Sequence, residues 1–196
     1  MKKLGIMALL LAVLLMVTGC GEKGSAAAEI QRQYGLIDTA QMEAEVTFRN
    51  GSDERCFTLQ CDYTPDKAQV TVTAPETVAG VTATVTGEDL TLNYDGESLS
   101  VGDMGALSPL ASLPQLLRAI ASGYVLEEGQ ETLEDTSCCR LVLDTTIGGE
   151  AVTCSVWIDE ETLLPRYGEF SVDGETITSV KMLAFSCTLR EDKAEE

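Results

Sequence analysis

The sequence predicts a mainly β (α+β) domain in which a strongly curved antiparallel sheet is covered by a helical lid. Three observations lead to this prediction: apolar and polar residues alternate over many short segments, turn-forming dipeptides separate those segments, and one central segment has helical spacing instead. About nine to eleven strands would not bury their apolar faces as a flat, isolated sheet, so the sheet is expected to curl around the helical segment.

The first residues carry a predicted lipoprotein signal. Lys2 and Lys3 precede an uncharged stretch, residues 4–17, and Cys20 follows Gly19. The stretch has the length of a signal-peptide core and is short for a transmembrane helix, which is the alternative interpretation. Residues 1–19 are therefore expected to be removed, and Cys20 to carry a diacylglyceryl group and acyl chains such as palmitate. This predicts a protein anchored to the extracytoplasmic face of the cell membrane, with residues 20–28 as a flexible spacer.

The folded domain is expected to span residues 29–190 and to start with a short helix, Ala27 to Ile37, whose apolar residues are Ile30, Tyr34 and Ile37. Turn residues such as Asn50-Gly51 and Asp95-Gly96 then separate segments whose apolar residues alternate, and short connections of this kind favour antiparallel neighbours. The predicted early strands contain Met42, Ala44, Val46 and Phe48; Phe57, Leu59, Cys61 and Tyr63; Val70 and Val72; Val81, Ala83 and Val85; and Leu90 and Leu92.

The alternation stops at residues 108–123, where leucines and an isoleucine recur at helical spacing. This predicts one amphipathic helix, or two short ones divided at Pro114. Strands resume around residues 139–143 and 152–158, on either side of Gly148-Gly149, and a last hairpin is expected across Asp173-Gly174. Residues 191–196 form an acidic tail outside the domain.

The composition excludes several kinds of site. The chain has no histidine, so Ser-His-Asp triads, Cys-His pairs and HExxH zinc sites are excluded. Without Lys2 and Lys3 there are 11 basic residues against 32 acidic ones, a net charge near −21 that repels nucleic acid. The GxSxG, SxxK and P-loop patterns are also absent from the sequence. The sequence therefore predicts no catalytic residues, no metal site, no cofactor and no nucleic-acid partner, and we expect a protein that is not an enzyme.

Six cysteines follow Cys20. Bridges between near neighbours are excluded by geometry, because Cys56 and Cys61 lie far apart on one strand and Cys138 and Cys139 point to opposite faces. A bridge between Cys139 and Cys154 requires their strands to pair across the Gly148-Gly149 turn. Free buried thiols at strand positions are the other interpretation.

Acidic runs at residues 127–135 and 159–161 are interpreted as solvated loops. Calcium binding is the alternative, although EF-hand spacing is absent. Trp157 shares one face of its predicted strand with Ser155 and Thr153, so we expect a structural tryptophan at the more polar face, with ligand contact as the alternative.

Several segments resemble the LolA/LolB-like lipoprotein-carrier superfamily, in particular its lipid-anchored members of Gram-positive type. The residues that carry the resemblance are Val156-Trp157-Ile158-Asp159, Glu161-Thr162-Leu163-Leu164-Pro165 and Lys181-Met182-Leu183-Ala184-Phe185, with a weaker likeness at Asp95-Gly96 and Ser108-Pro109. The resemblance spans most of residues 30–189. It implies an unclosed β-barrel with helices as a lid and an apolar interior. Spore-germination lipoproteins that partner a cell-wall amidase are similar as well.

The expected function is therefore non-catalytic binding of a lipid, a lipoprotein acyl chain or another apolar ligand in a half-barrel cleft. The alternatives are a fully packed core without a cleft, and a protein-interaction module that partners a cell-wall (spore cortex) processing enzyme of the envelope. The residues expected to line the cleft are the apolar side chains of the helical segment and early strands: Phe48, Phe57, Leu59, Leu113, Leu116, Leu117 and Ile120.

Overall fold

A computed structural model describes residues 25–102 and 108–191 of the chain, and within these ranges the protein is one long antiparallel sheet with two helices. The predicted signal, Cys20 and most of the acidic tail lie outside the described residues. Helix α1 spans Ala26–Gly35, a 3-10 helix spans Pro109–Ala111, and helix α2 spans Ser112–Ser122. The strands are β1 (Ile37–Asn50), β2 (Asp53–Tyr63), β3 (Ala68–Ala74), β4 (Thr82–Thr86), β5 (Asp89–Tyr94), β6 (Glu97–Gly102), β7 (Tyr124–Leu133), β8 (Thr136–Ile147), β9 (Glu150–Asp159), β10 (Pro165–Val172) and β11 (Glu175–Leu189).

The eleven strands form a single sheet in the order β6-β5-β4-β3-β2-β1-β11-β10-β9-β8-β7. The predicted fold class is confirmed, because the sheet is antiparallel throughout and does not close on itself. The chain makes two runs of consecutive hairpins, and the first and last strands meet in the middle, where Val46 lies opposite Val180. The helical segment between β6 and β7 carries the chain from one edge of the sheet to the other.

Helix α1 begins earlier than the spacer prediction allowed. Ser25 caps the helix by accepting a hydrogen bond from the Ala28 amide, so residues 26–28 of the predicted spacer are helical. The Glu128 carboxylate of β7 accepts from the Ser25 hydroxyl at 2.6 Å and from the Ala26 amide at 3.0 Å. A carboxylate at a helix N-terminus is favourable because it lies at the positive end of the helix dipole.

Helix α2 covers the inner face of the sheet, and it is not divided at Pro114. Pro114 lies in the first turn, where a proline removes no intrahelical hydrogen bond, so the helix continues to Ser122. At Gly168 of β10 an added Cβ would lie 2.7 Å from Leu116 Cδ1, so the absence of a side chain lets α2 pack closely on the sheet. No helix in the two described ranges is long and apolar enough to span a membrane.

The prediction of a solvated loop at residues 127–135 was wrong for its larger part, because Tyr124–Leu133 forms the edge strand β7. Its glutamates have defined partners. Glu128 caps α1, while Glu127 and Glu131 flank the Arg140 guanidinium at 3.6 and 3.7 Å. The sequence did not predict this strand because its charged side chains, with Gly129 and Gln130, show no apolar alternation. An edge strand needs no apolar face of its own.

The motif that carried the family resemblance builds the connection between β9 and β10. Asp159 accepts hydrogen bonds from the amides of Glu161 and Thr162 at 3.0 and 2.9 Å, and Arg166 donates to its other oxygen at 2.7 Å. The Tyr34 hydroxyl of α1 donates to the Leu163 carbonyl at 2.9 Å. These contacts give Asp159 a structural role in shaping this turn.

The six cysteines after Cys20 are all free in the structure. Cys139 lies opposite Ile158 and Cys154 opposite Leu143, so the two thiols are four residues out of register. At about 3.3 Å per residue this offset is roughly 13 Å, far outside disulfide range. The Cys139–Cys154 bridge is therefore excluded. Cys138 and Cys139 point to opposite faces, as expected, and both are buried.

Candidate functional site

An apolar cavity of about 160 Å³ opens on the inner face of the sheet, beside the 3-10 helix. Carbon-lined cavities of this size stay dry in other proteins and accept molecules such as benzene. The cavity is therefore a candidate binding site for an apolar group. The residues around it are all apolar: Phe57, Val72, Val78, Val81, Pro109 and Leu110.

Backbone hydrogen bonds fix the walls of this cavity. The Val72 amide of β3 donates to the Val81 carbonyl, and the Gly80 amide donates back to the Val72 carbonyl, each at 2.9 Å. These bonds hold the connection between β3 and β4 against the sheet. On the opposite wall, Ser108 caps the 3-10 helix by accepting from the Leu110 amide at 3.3 Å. Both walls are thus held by hydrogen bonds that main-chain amides donate.

The residues predicted to line the cleft are mostly packed into the core. Leu59 and the four predicted residues of α2 are no more than 2% exposed, and Phe57 is half-buried against the same cluster. Of the seven, Phe57 alone lines the cavity described above, while Leu59 lies opposite Val72 in the sheet register. The structure places Phe48 outside this cluster. The space beneath α2 is filled by Leu113, Leu116, Leu117 and Ile120.

Apolar side chains continue across the inner face to the β6 edge. Val70 lies opposite Ala83, Ala83 opposite Leu92, and Leu92 opposite Leu99, so these four residues form one row across four strands. Burial falls along this row, from 0% exposure at Val70 to 63% at Leu99, and Tyr94 nearby is 57% exposed. The inner face is therefore covered by the lid at its centre and open at this edge.

The lid also presents polar groups toward the β2 side of the inner face. Arg118 Nη1 donates to the Gly87 carbonyl, and within the described residues Arg118 Nη2 and Gln115 Nε2 are buried without a hydrogen-bond partner. Tyr63 lies close to Arg118; burial raises the pKa of this tyrosine, and the nearby guanidinium acts in the opposite direction. A polar ligand group beside α2 would find donors here.

The outer face of the sheet has a different chemistry. A concavity of about 610 Å³ crosses β11, β1, β2 and β3, where Gln41 Nε2 donates to Asp62 at 3.0 Å and the hydroxyls of Thr39 and Thr188 lie 2.8 Å apart. Further along this face, Trp157 donates to Glu131 at 2.6 Å. Its ring centroid lies 5.5 Å from that of Tyr167 and 5.4 Å from the Arg140 guanidinium. These contacts agree with a structural role for Trp157.

Sequence reasoning missed most of the cavity wall. Val78 and Val81 lie in the connection between β3 and β4, and Pro109 and Leu110 lie in the 3-10 helix, so the periodicity of single elements does not show that these residues meet. One signal was available. Val78 and Val81 are apolar residues in a connection rich in turn residues, and apolar side chains in such a connection suggest that another part of the chain packs over them. In the described residues, no cluster of three or more His, Cys, Asp or Glu side chains has the proximity needed to hold a metal ion.

No protein-family model matches the sequence, and no curated protein matches it. Solved structures match in fold. An uncharacterised conserved protein from Thermus thermophilus is 14% identical with a TM-score of 0.52, over 85% of this chain and 90% of that one. A domain provisionally named an outer-membrane lipoprotein-sorting protein, from Vibrio parahaemolyticus, is 12% identical with a TM-score of 0.50, over 89% and 95%. A LolA superfamily protein from Nitrosomonas europaea is 13% identical with a TM-score of 0.45, over 87% and 97%.

At such identities the similarity is one of fold, and the same fold can serve different functions. The earlier resemblance is confirmed at the level of the fold, since the sheet that does not close and the helical lid are both present. The chain has the same fold as the Thermus and Vibrio proteins, an unclosed half-barrel covered by a helical lid.

Proposed function

We propose that this protein is a lipid-anchored lipoprotein of the extracytoplasmic membrane face that binds an acyl chain, without chemical turnover, on the inner face of its half-barrel. The observation that carries the proposal is the cavity lined wholly by apolar side chains at the edge of the lid. Burying about six methylene groups there would gain on the order of 5 kcal/mol before ordering costs.

The cavity is the entrance of the proposed site, and α2 limits its depth. A longer chain needs the space that Leu113, Leu116, Leu117 and Ile120 fill in this structure. Ligand binding is therefore expected to displace α2, so that the acyl chain fills the part of the core that the leucine side chains fill in this structure. Arg118 lies eight residues beyond Leu110, about 12 Å along a helix, and would bind the polar end of an amphiphile.

The first experiment is native mass spectrometry, with lipid extraction, of the chain from Gly21 purified without detergent. Co-purifying lipid near one per protein is expected. Titration with a sixteen-carbon fatty acid and with its methyl ester then tests the two ends of the site. Leu110→Gln should weaken both ligands, and Arg118→Gln should weaken the acid more than the ester, because only the acid carries a charge.

Leu183→Gln is the matched control, since Leu183 is 49% exposed on β11 and lies away from the cavity. Thermal unfolding of each variant separates lost binding from lost folding. If Leu110→Gln and Leu183→Gln bind the fatty acid equally well, the cavity is not the binding site.

The anchor is tested separately on the full chain. Metabolic labelling with palmitate should acylate the protein, and Cys20→Ala should abolish both the label and flotation with membranes. A labelled Cys20→Ala variant would contradict the assignment of the modified residue.

A second candidate function is docking of a protein partner, such as a cell-wall processing enzyme. The observation that favours it is a pair of exposed side chains, Leu99 of β6 at 63% and Tyr94 at the end of β5 at 57%, where β6 is the last strand of the sheet in the part of the chain that the structure describes. Exposed apolar side chains at a free sheet edge are typical of a surface that pairs with another chain. An apo mass in the first experiment, together with a purified hydrolase that binds the wild type and not Leu99→Lys, would favour this function.

A further inference from the structure

A second exposed apolar patch lies at the β7 edge, which is the opposite edge of the sheet from β6. Tyr124 is 74% exposed and Leu126 is 51% exposed, and both lie near the start of the strand. The matching patch at the β6 edge contains Tyr94 and Leu99. Exposure alone therefore does not distinguish the two edges, and their position relative to the N-terminal segment does.

The N-terminal segment leaves the domain at β7. Ser25 and Ala26 are hydrogen-bonded to Glu128, and Gln31 Nε2 donates to the Gly123 carbonyl at 2.7 Å, so α1 is held beside this strand. Leu126 is two residues from Glu128, about 7 Å along a strand. Only five residue steps separate Cys20 from Ser25, which reach at most about 18 Å when fully extended.

We propose that the β7 edge rests on the lipid bilayer, with Tyr124 and Leu126 at the level of the headgroups, and that the β6 edge points away from the membrane. This inference rests on the proposed lipid anchor at Cys20. An anchor within about 18 Å of Ser25 keeps β7 close to the surface, whereas β6 is the last strand at the other end of the sheet order.

The chemistry of the patch fits an interfacial position. Tyrosine places an apolar ring and a polar hydroxyl at the boundary between lipid and water. The acidic residues of β7 lie beyond the patch, where Glu127 and Glu131 are paired with Arg140. Contact is therefore expected at the Tyr124 end of the strand. This orientation leaves the β6 edge, with its open apolar row, free for a ligand or partner from outside.

The test uses the full lipidated chain in phosphatidylcholine vesicles that contain brominated lipid, which quenches tryptophan at short range. Trp157 is the single tryptophan of the sequence, so Trp157→Phe provides a background without tryptophan. Tyr124→Trp and Tyr94→Trp then report on the two edges through the same substitution. We expect Tyr124→Trp to lose about half of its emission and Tyr94→Trp less than about a tenth, because interfacial side chains reach only about 5–10 Å into the bilayer.

Flotation and circular dichroism accompany each measurement, and Leu126→Trp is the second reporter of the β7 edge. Equal quenching at both edges, or stronger quenching of Tyr94→Trp, would overturn the proposed orientation. So would absence of quenching at all three positions in protein that floats with the vesicles, and in that case the anchor itself would stand. Protein that does not float would overturn the anchor and, with it, the orientation.

Discussion

Asp159 illustrates how a single side chain stabilises the β9–β10 connection. Its carboxylate accepts hydrogen bonds from two backbone amides and from the Arg166 guanidinium, and its side chain is only 6% exposed. The amide of Thr162 and the nearby Arg166 lower the pKa of Asp159 to about 2. Because the folded-state pKa lies below the unfolded one, this carboxylate stabilises the fold above pH 4 and loses that contribution as the pH falls toward 2.

We therefore predict that Asp159→Asn lowers the free energy of unfolding at pH 7 by about 1–3 kcal/mol, because charge-assisted hydrogen bonds are lost. The variant should also show a flatter dependence of stability on pH between about 4 and 2 than the wild type. Urea unfolding at several pH values measures both effects. Asp144→Asn, at an exposed position of β8, is the control. Identical pH profiles for Asp159→Asn and the wild type would refute the assignment.

The cysteines give a second prediction at the scale of residues. Burial raises the pKa of Cys61 and of Cys154 to about 12, and that of Cys139 to about 11, whereas Cys56 and Cys187 are exposed. The thiolate is the reactive form, so buried thiols of high pKa react slowly. In the folded chain from Gly21, two thiols should react with a maleimide at pH 7.5, and all six after unfolding. Mass spectrometry of the labelled peptides checks the positions, and rapid labelling of Cys154 would contradict the packing described above.

At the scale of elements, the contact between α2 and β10 depends on Gly168. Leu116 fills the space that a side chain at this position would need, and Leu116 itself is fully buried. The helix was predictable from the spacing of its leucines. The strand position that receives it was not, because a glycine within a strand indicates a close approach without identifying what approaches.

Gly168→Ala is expected to destabilise the fold by about 1–3 kcal/mol, since the new methyl group must displace a buried leucine. Gly129→Ala on β7 is the matched control, because nothing lies within 4 Å of its added Cβ. Chemical unfolding measures both variants, and hydrogen exchange of α2 locates the effect. Equal stability of the two variants would show that the lid tolerates a shift at Leu116.

Local sequence signals account for most elements. The dipeptides Asn50-Gly51 and Asp95-Gly96 form the predicted hairpins between β1 and β2 and between β5 and β6. The strand β7 was missed because it is an edge strand with many charged side chains, so it lacks an alternating apolar face. The cavity was located only through Phe57, because its remaining walls come from β3, the β3–β4 connection and the 3-10 helix, which the tertiary fold brings together.

At the scale of the whole molecule, the excess of acidic residues opposes compaction. Only a few ion pairs offset it in the described residues, and most of these are exposed, where such pairs contribute little. Self-repulsion of a net charge near −21 destabilises the folded state and is screened by salt.

Sodium chloride should therefore raise the melting temperature of the chain from Gly21. Between ~10 and ~200 mM salt we expect a rise of a few degrees, because the screening length falls from about 30 Å to about 7 Å. Calorimetry or circular dichroism measures it. Most of the rise should occur below about 0.1 M; a melting temperature that does not change over this range would show that repulsion is negligible.

The meeting of β1 and β11 at the centre of the sheet also bears on how the protein is made. For a chain exported with its N-terminus first, as proposed, β1 emerges early and waits for a partner that emerges last, about 140 residues later. Each run of hairpins can form separately, but the two runs cannot join until β11 has emerged and can pair with β1. Such a topology delays native folding until secretion is complete, so the polypeptide stays unfolded while it passes through a narrow translocation channel.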